Sequence, residues 1–518
     1  MKFRYFLYFF QVLLLLLLVS EIYPQEDSLS NRLNFSGSIR VRGFQLGRDI
    51  LLKRETPTDP YDAKVYKQEK ETYYGETLIQ EEIDARLAGK KTNITKKKES
   101  LNYFDTRALL NLEFKGSKNL SGVWGVMAGD VRFGGMGLSK EDRNSPYLVG
   151  AGSGGEMGYA SGTNLLTNFI YLDYHLKEKN FYSRGGLQLF SSARGMVMFN
   201  TGLGILANKD IRFLNMNLEG GWIRPRDRTF IDKDNNGYND KSNVNIDVVF
   251  GKVKLLLKKV KSEIYTYYSR DNDPTDVSSE TGSLYWHGFY NEYNSSNFSV
   301  IVHGVYNHGR VKTFNPYRDS SGNKIYEKYD PHTIKGGLYD LEFSYIFNLF
   351  NNKANVNLLA VGTTGRPGYE NDGVQSSYRG NGYRTLFPRY TISNIAVDFT
   401  GGYSIFSAQN MSGLGEYGVY TNFIAFGPMQ ITLGYYLLYA NKSPHIGNNV
   451  EFNLDNYKKT RTYFGQEYNF NLRWNIQKDF QIVFRSGYFT AGDGLKALFD
   501  TIYGKKVIEA FISSEYSF

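Results

Sequence analysis

The 518-residue chain has no Cys, only 12 Pro and only six His. Without cysteine there is no disulfide scaffold, no thiolate metal site, no cysteine nucleophile and no lipid-anchor cysteine. Beyond the first 20 residues no apolar run reaches the roughly 20 residues a helical span needs, and the mean hydropathy is −0.43. A polytopic helical membrane protein is therefore excluded. The six histidines (His175, His287, His303, His308, His332 and His445) form no HExxH, and neither GxSxG nor a P-loop occurs. An enzyme is not expected, and no cofactor is implied.

Aromatics and glycine are abundant instead: 42 Tyr, 36 Phe and 53 Gly. Tyr and Phe favour strands, and Gly, Asn, Asp and Ser favour the turns between them. Residues 1–25 read as a secretory signal, with Lys2 and Arg4 ahead of the apolar stretch Phe6–Val19. Residues 26–518 then form one exported, basic domain. If that domain enters a membrane, it must do so as a closed barrel, the other structure that satisfies every backbone group in lipid.

Alternation supports this. In Leu33–Phe44 one face carries Leu33, Phe35, Ile39 and Val41, and the other carries Asn34, Arg40 and Arg42. Phe104–Lys115 sets Phe104, Ala108, Leu110 and Leu112 against Asp105, Arg107, Asn111 and Glu113. Val123–Phe133 sets Val123, Met127, Val131 and Phe133 against Asp130 and Arg132. Phe464–Trp474 sets Phe464, Tyr468, Phe470, Leu472 and Trp474 against Glu467, Asn469, Asn471 and Arg473. Such strands match the length that crosses a bilayer with tilt, about 9–11 residues.

Connection lengths also alternate. Short polar links at 115–120, 177–180, 294–297, 426–429 and 477–479 alternate with long ones at about 45–101, 135–163, 224–242, 309–335, 364–412 and 442–461. Short periplasmic turns opposite long extracellular loops are the pattern of outer-membrane barrels. The expectation is an all-β, antiparallel transmembrane barrel of about 18 strands, in the range 16–20 because Ile395–Phe399 inside the 364–412 excursion reads as one more strand. The location is the bacterial outer membrane, with lipid as its surroundings.

Several segments resemble the alginate-export family of outer-membrane barrels. They are FSGSIRVRG (Phe35–Gly43), RALLNLEFKGSKNLSGVW (Arg107–Trp124), FYSRGGLQLF leading to Arg194, FPRYTISNIAVDF (Phe387–Phe399), and GQEYNFNLRW with GYFTAGDG (Gly465–Gly494). The resemblance implies an 18-stranded channel, monomeric as porins of that type often are. The terminal strand ends in Tyr516-Ser517-Phe518, which resembles the signal read by the barrel-assembly machinery.

If apolar faces meet lipid, the opposite faces line the lumen. This assigns Arg40, Arg42, Arg107, Arg132, Arg184 and Arg473 to the wall, with Asp105, Glu113, Asp130, Glu219, Asp340 and Glu342 among them. A positive stripe on the first strands would favour anions; pairing across the wall would cancel it. The excursion 364–412 holds Arg379, Arg384 and Arg389 with Tyr378 and Tyr383. Folded inward it would constrict the pore and offer guanidiniums and aromatic faces to small anionic or saccharide solutes.

In DKDNNGYND, Asp232, Asp234, Asn236, Tyr238 and Asp240 occupy calcium-loop positions, but Asn243 stands where a bidentate Glu belongs. This is an incomplete Ca²⁺ candidate on an extracellular loop, against an ordinary Asn-rich turn. The Lys-rich run Lys90–Ser100 reads as solvated loop surface, with no nucleic-acid partner. The functional expectation is a passive porin with a basic lumen and a constricting loop. The alternatives are a dedicated polysaccharide export pore, or a surface adhesin or structural barrel acting through its long loops.

Overall fold

The computed structural model describes residues 32–48, 99–133, 165–227, 230–231, 240–241, 245–271, 280–318, 324–328, 332–349, 352–365, 382–386, 390–397, 413–441, 462–492, 494 and 506–518. Residues 1–31, which include the signal reading, lie outside that set.

Eighteen strands form the barrel. They are β1 (Leu33–Arg48), β2 (Glu99–Lys115), β3 (Leu120–Phe133), β4 (Leu165–Leu176), β5 (Phe181–Ser191) and β6 (Phe199–Ile211). Next come β7 (Met216–Asp227), β8 (Asn245–Leu256), β9 (Val260–Asp271), β10 (Glu280–Asn294), β11 (Phe298–Arg318) and β12 (His332–Leu349). The last are β13 (Asn352–Thr363), β14 (Leu414–Phe426), β15 (Met429–Ala440), β16 (Tyr463–Gln477), β17 (Phe480–Ala491) and β18 (Lys506–Ser517).

Each strand pairs antiparallel with its sequence neighbour, and β1 pairs with β18 from Ser38 opposite Ser517 to Arg48 opposite Val507. The barrel is closed. Phe518 adds the last rung: its N–H donates to Gly37 O at 3.0 Å, and Gly37 N–H donates back at 2.9 Å. Two short ribbons add to the barrel strands: Phe230–Ile231 pairs with Asp240–Lys241, and Lys324–Lys328 pairs with residues 314–318 at the far end of β11.

The turns after β2, β4, β6, β8, β10, β12, β14 and β16 are all short, and the longer connections are at the opposite rim, as the loop lengths implied. The turns after β4 and β6 are built alike. Each is a single 3₁₀ turn closed by an asparagine in the left-handed region, Asn180 (φ 49°) and Asn215 (φ 50°), a conformation that Asn tolerates better than most residues. Ile395–Phe399 adds no strand: Ile395–Val397 are buried inside the barrel, and 398–399 lie outside the described residues.

Exterior and interior separate by alternation. Phe35, Ile205, Ile264, Leu358, Ile512 and Phe518 are each more than half exposed, whereas Asp105, Asp340 and Glu416 are fully buried. A bare protein that shows its aliphatics and hides its carboxylates has lipid outside and polar chemistry within. Register corrects the expected faces in two places.

In β3, Leu112 is opposite Trp124 and Glu113 is opposite Val123, and directly opposed residues share a face. Trp124, Val126 and Ala128 therefore face lipid, while Val123 and Met127 face the lumen. A one-residue bulge between Gly129 and Val131 then resets the backbone register, so that Val131, Arg132 and Phe133 stand opposite Thr106, Asp105 and Phe104. In β16 a bulge between Tyr463 and Gly465 turns Phe464 inward, where it is fully buried. Straight alternation cannot see a bulge.

Leu341 faces lipid well inside β12, 42% exposed. Leu341→Arg should lower stability by roughly 2–4 kcal/mol, the cost of a guanidinium near the bilayer midplane, measured by denaturant unfolding in lipid. A change within about 0.5 kcal/mol would place that face elsewhere.

Candidate functional site

The sequence-derived arginines come together mainly on one side of the lumen. Strand register puts Arg107, Arg40, Glu515 and Gln481 on one rung, across β2, β1, β18 and β17. Another carries Arg132, Asp105, Arg42, Ser513, Val483 and Arg473, from β3 round to β16. Arg42 is buried and grips Asp105 bidentately, Nε to Oδ1 at 2.9 Å and Nη2 to Oδ2 at 2.6 Å. One carboxylate thus sits between strand positions held by three arginines. Glu113 accepts from Asn34 at 3.1 Å. Asp130 is the extra residue of the β3 bulge, and its side chain and that of Arg132 are outside the described ones.

Arg184 of β5 stands apart from that group. It is paired to Asp173 of β4 at 2.6 Å and lies 4.0 Å over the Tyr171 ring and 5.5 Å from that of Tyr182. On the next part of the wall Lys252 and Lys254 share Glu219 at 2.6 and 2.8 Å, leaving two cations on one carboxylate. Pairing therefore consumes much of the wall charge but not all of it.

Two connections at the long-loop rim fold into the lumen. The first, 192–198, joins β5 to β6. Ser192 Oγ accepts from Val197 N–H and Met198 N–H, both at 3.1 Å, which closes a tight loop and buries Met196, Val197 and Met198 completely. Arg194 in this loop takes φ 52°, ψ 9°, a left-handed conformation costing roughly 1 kcal/mol or more for a side chain other than Gly or Asn. Two carboxylates of β12 hold it there, Asp340 at 3.1 Å and Glu342 at 2.9 Å.

The second is the described part of the β13–β14 connection, residues 382–386 and 390–397. At one end Trp286 Nε1 donates to Arg384 O at 2.7 Å, and Arg384 N–H donates to Asn307 Oδ1 at 3.3 Å. Gly336 of β12 permits the approach, because a Cβ there would lie 2.3 Å from the Gly382 carbonyl carbon. Leu386 N–H donates to Val197 O at 3.1 Å, and Tyr383 OH donates to Met196 O at 3.4 Å, so the two segments pack on one another. Burial pushes the Tyr383 phenol up, keeping it a neutral donor.

At the other end Glu467 of β16 accepts Ile395 N–H at 2.8 Å and Ala396 N–H at 2.7 Å. Asn394 donates to Asn471 Oδ1 at 2.8 Å and Ser486 O at 2.9 Å, and receives Arg485 Nη2 at 2.7 Å. Glu416 of β14 is buried close enough to Ser393 and Glu467 to interact with both. The segment runs from the wall of β10–β12 to the wall of β16–β17, across the lumen rather than along it.

Of the three arginines expected at the constriction, Arg384 lies in this crossing segment, half-buried, while Arg379 and Arg389 fall outside the described residues. So do Asp232, Asp234, Asn236 and Tyr238 of the calcium-loop candidate and the side chain of Asp240. Arg194, Glu467 and Trp286 hold the inward segments but escaped the sequence analysis as anchors. A usable signal existed for Arg194: the apolar triplet Met196-Val197-Met198 sits in a connection, where exposed apolar residues are out of place.

Comparison with solved structures fits this architecture. OccAB1 of Acinetobacter baumannii superposes with a TM-score of 0.50 at 11% identity, covering 93% of this chain and 96% of that one. The fold is that of the Occ/Opd outer-membrane porins. OccK9 (OpdG) of Pseudomonas aeruginosa aligns with a TM-score of 0.49 at 10% identity, over 93% and 98% of the two chains. No family model and no curated protein matches the sequence. The chain is thus an integral barrel of the bacterial outer membrane.

Glu467→Ala removes the acceptor of two backbone donors, worth roughly 1.5–3 kcal/mol each when the acceptor is charged. The inward segment should undock, giving larger and noisier single-channel currents in planar bilayers. Currents identical to the parent would mean that Glu467 does not hold the constriction.

Proposed function

We propose that the protein is a passive outer-membrane channel for small anionic or saccharide solutes, with a lumen narrowed by its two inward segments. The observation that carries this reading is the crossing segment pinned at Trp286 and Glu467 inside a barrel of a size that otherwise leaves an aqueous channel. Anion preference is supported by the cation-rich rungs of β1–β3 and β16–β18 and by the pair Lys252 and Lys254 on one Glu219. Arginine side chains and aromatic rings at a constriction suit a carboxylate or a sugar face.

The resemblance to alginate-export barrels keeps a polymer-export pore as the second reading. A segment tied to the wall at β10–β12 and again at β16–β17 by neutral and charged hydrogen bonds favours small solutes over a polysaccharide chain. An adhesin acting through the long loops would require no conductance at all. An extracellular Ca²⁺ clamp at Asp232–Asp240 is a separate proposal that rests on sequence spacing alone.

Purified protein in planar bilayers under a salt gradient should give stepwise conductance with a reversal potential of anion-preferring sign. Replacing Arg379, Arg384 and Arg389 by Ser should shift that potential toward cations. Cation preference in the parent would reject the basic-lumen reading, and no conductance would reject the channel.

A further inference from the structure

The outward face of β9–β12 departs from the rest of the exterior. Three successive rungs there read, from β9 to β12, Thr266–His287–Tyr306–Gly337, Tyr268–Tyr285–His308–Lys335, and Arg270–Ser283–Arg310–Thr333. Their facing follows from their neighbours: Tyr265, Tyr267, Trp286, Val305 and Asn307 are buried inward, while Tyr285 and Tyr306 are 38% and 47% exposed. Three permanent cations, Arg270 of β9, Arg310 of β11 and Lys335 of β12, therefore point away from the lumen. No Asp or Glu shares that face of these four strands among the described residues. The carboxylate opposite Arg270 on β8 is Asp247, already gripped by Arg224 at 2.9 and 3.1 Å.

Depth decides what these cations meet. Arg310 lies twelve residues up β11 from Phe298, which is at the short-turn rim. At about 3.4 Å per residue and a tilt near 40°, that is roughly 30 Å of height, just beyond an apolar band about 25 Å tall. Below the patch the same strands show Ile264, Phe289, Leu341 and Phe343, all exposed. The cations thus sit at the outer-leaflet headgroup level, directly above hydrocarbon.

The site is shaped as well as charged. A cavity of about 470 Å³ opens there, lined by Tyr285, Tyr306, His308, Arg310, Thr333 and Lys335 among others. The floor is an ordered set of rings: Tyr285 stacks on His308 with centroids 5.1 Å apart, and His287 and His308 meet Nε2 to Nε2 at 3.2 Å. His287 is steadied through Nδ1 by Thr266 Oγ1 at 3.1 Å. Arg310 and Lys335 are diagonal neighbours, with backbones roughly 7–8 Å apart, so both long side chains can reach one phosphate. Such cations beside hydrocarbon require a counter-anion, and a basic pocket on a membrane protein's flank collects anionic headgroups.

We propose that this face is a binding site for the phosphorylated sugar headgroup of an outer-leaflet glycolipid. Arg310 and Lys335 hold the phosphate, Arg270 adds charge from β9 on the far side of β10, and the Tyr and His rings flank the sugar. The acyl chains run down over Phe289 and Leu341.

The test is native mass spectrometry of the intact barrel, delipidated in a neutral detergent and titrated with diphosphoryl lipid A. The parent should bind it. The double variant Arg310→Ser/Lys335→Ser should bind about 30-fold more weakly, because neither cation then reaches the phosphate. The charge-retaining pair Arg310→Lys/Lys335→Arg should keep most of the affinity. Folding of each variant is checked by its heat-modifiable mobility, and the charge-retaining pair answers for packing. Equal binding by the serine variant would overturn the proposal. Displacement by millimolar inorganic phosphate would instead assign a free-anion site. Loss of a dimer in the serine variant, without loss of lipid, would assign the face to contact between copies.

Discussion

Closure is the constraint from which the rest follows. In hydrocarbon each backbone N–H and C=O must find a partner within the protein, and a sheet with a free edge leaves a row of them unpaired. The rungs from Ser38–Ser517 to Arg48–Val507, with Phe518 bonded both ways to Gly37, remove that edge. Once the sheet is closed, every side chain has only two destinations. Lipid outside accepts apolar groups, so the charges must collect inside, and there they need partners or water.

That second requirement explains how the lumen is furnished. Arg42 with Asp105, Arg184 with Asp173, and Lys252 and Lys254 with Glu219 are local solutions within the wall. Other carboxylates are satisfied differently. Asp340 and Glu342 hold Arg194 in its left-handed conformation, and Glu467 accepts the backbone of Ile395 and Ala396. A connection that folds inward brings N–H donors to buried carboxylates and apolar side chains to one another. The inward course of these connections is thus a consequence of wall chemistry.

Much of this was legible in the sequence. Strand number, the rim with short turns and the inward facing of Arg42, Asp105, Arg184 and Glu467 all follow from a period of two and from loop lengths. What was not legible depended on shifts of one residue or on contacts between distant segments. The bulge after Gly129 moved Val123 and Met127 to the lumen, and the bulge at Phe464 buried an aromatic assigned to lipid. The anchors Trp286 and Glu467 contact residues 98 and 72 positions away, separations at which no local pattern operates. The outward cations on β9–β12 break the alternation rule itself, and sites that break a rule are where a second function belongs.

The central claim is that the 390–397 segment is docked on the inner wall at β16–β17. A cysteine-free chain allows this to be measured directly. A Cβ built at Gly487 lies 2.7 Å from Ile395 Cγ1, so the pair Ile395→Cys/Gly487→Cys falls within disulfide reach. In folded protein in native outer membranes, mild oxidation should close this disulfide nearly completely. Two thiols that stay free and react with a membrane-impermeant maleimide would contradict the docked segment.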